Sequence, residues 1–132
     1  MYSIDDPRIS LVNQLMPLLL AGADPRLASL RVQWESTSTT IESNTNWGFF
    51  AHFAVPQFLP LVQPSHFCGG DALIAVQGLR TPAGCILYIE DGALSYLEVY
   101  TYDEPWEPPP RFMSIRSVQP IIPGEHVRPS TI

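Results

Sequence analysis

The chain has 132 residues, 45% hydrophobic and 15% charged, with a net charge of −6 and seven basic residues that are all arginine. That length and balance suit one globular domain with a core of its own, and they exclude a disordered chain or a membrane span, for which no apolar run is long enough. The acidity argues against nucleic acid, whose binding draws on clustered positive charge, and leaves a basic protein or a cation as the complementary partner.

Two helix starts share one grammar near the N-terminus. Asp6-Pro7 and Asp24-Pro25 each place a carboxylate at an N-cap, where it accepts from unpaired backbone N–H groups. The proline that follows loses nothing at the first helical position. Ile9, Val12, Met16 and Leu19 or Leu20 make an apolar stripe in the first helix, which Pro17 should kink or shorten. Leu27, Leu30 and Trp34 line one face of the second, and both helices are expected to cover a sheet. Residues 11–20 followed by Ala21-Gly22-Ala23 have the outline of a cleaved leader. Asp5 and Asp6 against Arg8 give the wrong charge for one, and Asn13, Gln14 and Pro17 interrupt the run, so a cytoplasmic protein is expected.

Residues 36–43, rich in Ser and Thr, read as an edge strand, and Ser43-Asn44-Thr45-Asn46 as a turn. Residues 47–55 are apolar on both faces, as in a central strand, with His52 inside it as a core or rim histidine. In residues 56–70, Pro56, Pro60 and Pro64 exclude a helix interior and a central strand. Phe58, Leu59, Leu61, Val62 and Phe67 make this an apolar loop that packs on the domain or, in the alternative, offers a binding surface. Residues 71–79 form a further strand.

The strongest local signal follows. Cys85, Ile86, Leu87, Tyr88 and Ile89 lead to Asp91-Gly92, a pair suited to a type I′ turn because both central residues need positive φ. The return strand alternates, with Leu94, Tyr96, Glu98, Tyr100 and Tyr102 on one side and Ser95, Leu97, Val99 and Thr101 on the other. Which set faces Cys85, Leu87 and Ile89 depends on whether the turn has two residues or three with a bulge. Glu107-Pro108-Pro109-Pro110 ends the hairpin, residues 112–118 suit a last edge strand, and residues 120–132 are expected to be a loose tail on a domain spanning 1–119. The expected fold is α+β: two N-terminal helices packed on a mainly antiparallel sheet of about five strands.

Chemistry is sparse. Cys68 and Cys85 lack C-x-x-C spacing and read as reduced thiols. His66-x-Cys68-Gly69-Gly70-Asp71 gathers a thiol, an imidazole and a carboxylate in sequence, but its glycines precede a strand and read as turn residues. No nucleophile-elbow, zinc or calcium-loop motif is present, so neither a metal nor a cofactor is implied. Glu98 is the notable acid, a carboxylate between Tyr96 and Tyr100 on one strand face. With Tyr102, Asp103, Glu104 and Trp106 these residues form the candidate partner-binding surface.

The run D-G-A-L-S-Y-L-E-V-Y-T-Y-D-E-P-W at residues 91–106 resembles the C-terminal signature of small uncharacterised bacterial proteins, in which a D-G-x-L-S-x-L-E-x-Y strand follows an apolar one. The L-x-x-L-R-x-Q pattern of residues 27–33 fits the usual lead-in of these proteins. The resemblance implies no activity. Two functions remain: a non-enzymatic protein-binding domain, such as an immunity-type protein that neutralises a basic partner, or a small enzyme or ligand-binding domain with a pocket around Glu98, His52 and the tyrosines. A flat or protruding acidic face supports the first, and a deep pocket gathering Glu98 with His52 supports the second.

Overall fold

The structure is a computed structural model that describes residues 6–42 and 45–126. Both Asp-Pro pairs open helices, α1 (Pro7–Leu19) and α2 (Pro25–Glu35). Each cap also binds the arginine that follows the proline. Asp6 accepts from the Arg8 backbone N–H at 2.9 Å and from Arg8 Nη2 at 2.8 Å, and Asp24 accepts from Arg26 in the same way at 2.9 Å and 2.7 Å. Hydrogen bonds from Arg26 hold the Asp24 carboxyl at about 2, below its ordinary 3.8, and those from Arg8 lower Asp6 likewise. α1 continues past Pro17, which lies on its exposed side in the last turn, while Leu11, Val12, Leu15, Met16 and Leu19 enter the core. So late a proline does not shorten the helix, since few bonds remain for it to break.

Seven strands follow: β1 (Ser38–Glu42), β2 (Gly48–Ala54), β3 (Phe67–Gly69), β4 (Asp71–Val76), β5 (Gly84–Glu90), β6 (Ala93–Tyr100) and β7 (Phe112–Gln119). Five form an antiparallel sheet in the order β1-β2-β6-β5-β3, and β4 pairs with β7 in a separate two-stranded sheet joined to the first by the Ile74–Ala83 bridge. The fold is thus α+β with a mainly antiparallel five-stranded sheet. Ile41, Phe49, Ala51, Phe67, Leu87, Ile89, Leu97 and Val99 turn inward and share one core with the buried residues of both helices. Phe112 of β7 joins it at Phe49, their ring centroids 6.3 Å apart.

The hairpin turn has two residues, Asp91 and Gly92, at φ 54° and 78°. A bulge follows nonetheless. Ile89 faces Leu94 and Tyr88 faces Tyr96, so Ser95 is the extra residue. This corrects the simple alternation expected along β6, because Leu94 leaves the tyrosine face and is buried with Leu97 and Val99. Ser95 Oγ donates to Glu90 Oε1 at 2.6 Å.

Two expectations for irregular segments change. Residues 67–69 at the end of the proline-rich stretch form β3, an edge strand against β5, with Phe67 fully buried. The segment expected to begin a loose tail is anchored instead: the Ile121 N–H donates to the Leu19 carbonyl at 2.8 Å, and its side chain enters the core. Residues 127–132 lie outside the described residues.

Gln33, on α2, is the one polar residue in the fully buried set of described residues, at 0% exposure. Its Nε2 donates to the Pro60 carbonyl at 2.9 Å and the Gly92 carbonyl at 3.1 Å, and its Oε1 accepts from the Leu94 N–H at 2.9 Å. The proline segment closes on the same turn through Val62 N–H to Gly92 O and Gly92 N–H to Ser65 O, both at 3.0 Å. A Cβ at Gly92 would come within 2.8 Å of Leu61 Cβ, so this glycine is fixed by contact as well as by its φ. Gln33→Leu keeps the volume but leaves the Pro60 carbonyl and the Leu94 N–H without this partner. It is expected to lower the unfolding free energy by about 2–4 kcal/mol, read as a shifted urea midpoint at an unchanged slope.

Candidate functional site

The outer face of the five-stranded sheet is the side away from both helices. The register lays its side chains out in rows. Thr40, His52, Tyr96, Tyr88 and Cys68 cross β1, β2, β6, β5 and β3 in one row, and Glu42, Phe50, Glu98 and Ile86 cross four strands in the next. In the third row Tyr100 sits between Gly48 and Gly84.

The first two rows make a connected aromatic surface. Tyr88 and Tyr96 stack at 4.3 Å with planes 17° apart, and Phe50 meets the edge of Tyr96 at 5.9 Å. His52 lies 5.8 Å from Tyr96 and 6.1 Å from Phe50, and its Nε2 is 3.4 Å from Glu42 Oε1. Cross-strand pairs of this kind contribute to sheet stability, and Tyr88, Tyr96 and Phe50 all stay partly exposed. The carboxylates Glu42 and Glu98 flank Phe50 on neighbouring strands. None of the five strands contains an arginine or a lysine.

Tyr100 has a further duty. A Cβ at Gly84 would come within 3.1 Å of the Tyr100 ring and 2.7 Å of the Tyr102 hydroxyl, so the two rings cover the space a side chain would fill. They meet edge to face at 5.4 Å. Burial is the main force raising the Tyr100 phenol above its ordinary value, reinforced by Tyr102 and by the charge of Asp71. Tyr100 therefore stays a neutral phenol.

The structure separates the expected partner-binding residues. Tyr96, Glu98 and Tyr100 lie on the outer face, Tyr102 packs beside Tyr100, and Asp103 is exposed in the following turn. Glu104 is occupied locally, accepting from the Arg80 backbone N–H at 2.6 Å. Trp106 is a correction: it is 4% exposed, packs on Phe49 and Phe112 with centroids 6.3 Å and 5.6 Å away, and belongs to the core. Sequence reasoning passed over Phe50, Tyr88 and Glu42 as surface residues. The period-two pattern of β2 held the signal for Phe50, which shares a face with the polar His52 two residues on, but the otherwise apolar run obscures which half faces outward.

The alternative pocket does not form as expected. The hollow at Glu98 is lined by Glu42, Thr45, Trp47, Gly48, Phe49, Phe50, Val99 and Tyr100, and His52 is not part of it. His66 Nε2 stands 3.5 Å from Asp91 Oδ1. Cys68 and Cys85 are both unpaired and line one cavity of about 370 Å³ with Asp71, Tyr100 and Gln119. Among the described residues, no three His, Cys, Asp or Glu side chains gather as a metal site, and no helix is long and apolar enough to cross a membrane.

Comparison of the chain with protein-family models, with curated proteins and with solved structures finds no match in any of the three. The site is therefore read from its own geometry.

The two thiols differ in a way that can be measured. Burial pushes the Cys85 thiol up to about 12, and its 1% exposure denies access, whereas Cys68 is partly exposed. Iodoacetamide at mildly alkaline pH is expected to label Cys68 alone in the native protein and both cysteines in denaturant, as read by peptide mass spectrometry.

Proposed function

We propose that the protein is a non-enzymatic binding domain whose outer sheet face engages a basic protein. The observation that carries this reading is the pairing of an open aromatic surface, Phe50, Tyr96 and Tyr88, with the carboxylates Glu42 and Glu98 on strands that hold no arginine or lysine. Aromatic side chains give contact area at little entropic cost, and flanking carboxylates steer and orient a cationic partner. Arginines elsewhere are occupied within the chain: Arg8 and Arg26 on the helix caps, Arg31 on the Leu20 and Gly22 carbonyls, and Arg80 beside Glu104. Among the described residues, none of these four arginines lies on a strand of the five-stranded sheet.

An immunity-type protein that neutralises a toxin is one member of this class, and a cytoplasmic location would suit it. The surface itself requires only that the partner be basic. The resemblance of residues 91–106 to small uncharacterised bacterial proteins is compatible with such a role and adds no activity to it. An acid–base enzyme finds less support, because the Glu98 hollow leaves out His52.

The test is a comparative capture from native lysate at low and high salt, using the wild-type chain and a Tyr96→Ala/Glu98→Gln variant. A stoichiometric basic protein is expected on the wild type, released by salt and bound at least about tenfold more weakly by the variant, a difference of about 1.4 kcal/mol. Capture that is indifferent to both salt and variant would contradict the proposal.

A further inference from the structure

One hollow on this face is a built site. It has a volume of about 260 Å³ and aromatic walls from Trp47, Phe50 and Tyr100, and it carries both Glu42 and Glu98. The pairing explains how it forms. Phe50 faces Glu98 across β2 and β6 and Glu42 across β1 and β2, so the carboxylates stand on either side of one ring. Gly48 faces Tyr100 and leaves the space open beneath it, and it must be glycine because a Cβ there would strike the Val99 carbonyl oxygen. Trp47 precedes β2 and is 49% exposed, with its carbonyl accepting from the Thr101 N–H at 2.9 Å. The backbone that carries the indole is therefore fixed. His52 Nε2 lies 3.4 Å from Glu42 Oε1 at the edge of the hollow.

We propose that this hollow is a subsite for a guanidinium group, the end of an arginine side chain presented by the partner. The proposal rests on the reading of the outer face given above and narrows it to one chemistry. Aromatic faces attract a cation through their quadrupoles. A guanidinium is planar and weakly hydrated, so it stacks on such rings, and its five fork-like donors can serve two separated carboxylates at once. A lysine ammonium is compact and strongly hydrated and gains less in a hollow open to water. A quaternary ammonium has no N–H to offer Glu42 or Glu98.

N-acetyl-arginine amide is the probe, titrated into the intact chain and followed by amide and indole NMR shifts, with the lysine analogue and neutral citrulline amide as controls. Saturable shifts are expected at the Trp47 indole and the Gly48, Phe50 and Glu98 amides, with binding about threefold or more weaker for lysine and for citrulline. Trp47→Ala and Glu98→Gln, both changes on the surface, should weaken the arginine probe by a similar factor while leaving the rest of the spectrum in place. The proposal is overturned by an absence of saturable shifts, by equal binding of citrulline or lysine, or by a Glu98→Gln chain that binds as the wild type does. The probe needs none of the remaining face. Binding of the probe without capture of a basic protein would keep the guanidinium site and remove the protein partner, and the reverse result would remove the subsite and keep the face.

Discussion

Three segments far apart in sequence meet at the Gln33 amide: helix α2, the proline-rich stretch at Pro60, and the hairpin turn at Gly92 and Leu94. A buried amide is costly unless its donors and acceptor are satisfied, and here the bonds to Pro60, Gly92 and Leu94 use both ends of it. That requirement does more than join the parts. The bond from the Leu94 N–H holds the start of β6 in place, and a slip of one residue there would send every following side chain to the opposite face. The identity of the outer surface, with Tyr96 and Glu98 on it and Leu97 and Val99 beneath, thus depends on a residue that never reaches that surface.

The sheet divides its two sides cleanly. Inward residues such as Leu87, Leu97 and Phe49 are buried against the helices, while β7 and Trp106 close one end. The other side holds rings and carboxylates in rows that neither α1 nor α2 covers. Antiparallel sheets often keep one face wet, and wet faces are usually polar. This one is aromatic and acidic together, and the proposal of a basic partner rests on that composition. A second apolar feature, Phe58 at 85% exposure on the proline-rich loop, projects from the same tethered segment that Gln33 fixes.

Much of the framework is legible in the sequence. The two Asp-Pro caps, the Asp-Gly turn and the strands that flank it act through local rules, and local rules survive into the fold. What escapes is decided by contacts across the chain. The Ser95 bulge moves Leu94 inward, although simple alternation puts it with the tyrosines. Trp106 follows an acidic, tyrosine-rich run and reads as a surface anchor, but its backbone is drawn in by a bond to the Asn46 carbonyl and its ring fills a gap between Phe49 and Phe112. Phe67 and Ile121 look like parts of loops and serve as core because β5 and the end of α1 offer them backbone partners. For Gln33 a sequence signal did exist, a polar residue on the same helical face as Leu30 and Trp34, and such a residue asks for buried partners. Tyr96, Glu98 and Tyr100 share a face that the alternation of β6 makes legible, whereas on β2 His52 is the one polar residue in an otherwise apolar run and marks the outward half only weakly.

On the proposed account the inner face carries the fold and the outer face is left for binding. Its most direct test is the urea unfolding free energy of a triple outer-face variant, Phe50→Ser/Tyr96→Thr/Glu98→Gln, measured beside the single inner-face variant Leu87→Ala. Loss of three cross-strand contacts is expected to cost about 1–2 kcal/mol in all, and one emptied core position about 2–5 kcal/mol. A triple variant more stable than Leu87→Ala is the predicted result. The opposite order would show that the aromatic rows hold the sheet together and would contradict the division of labour between its faces.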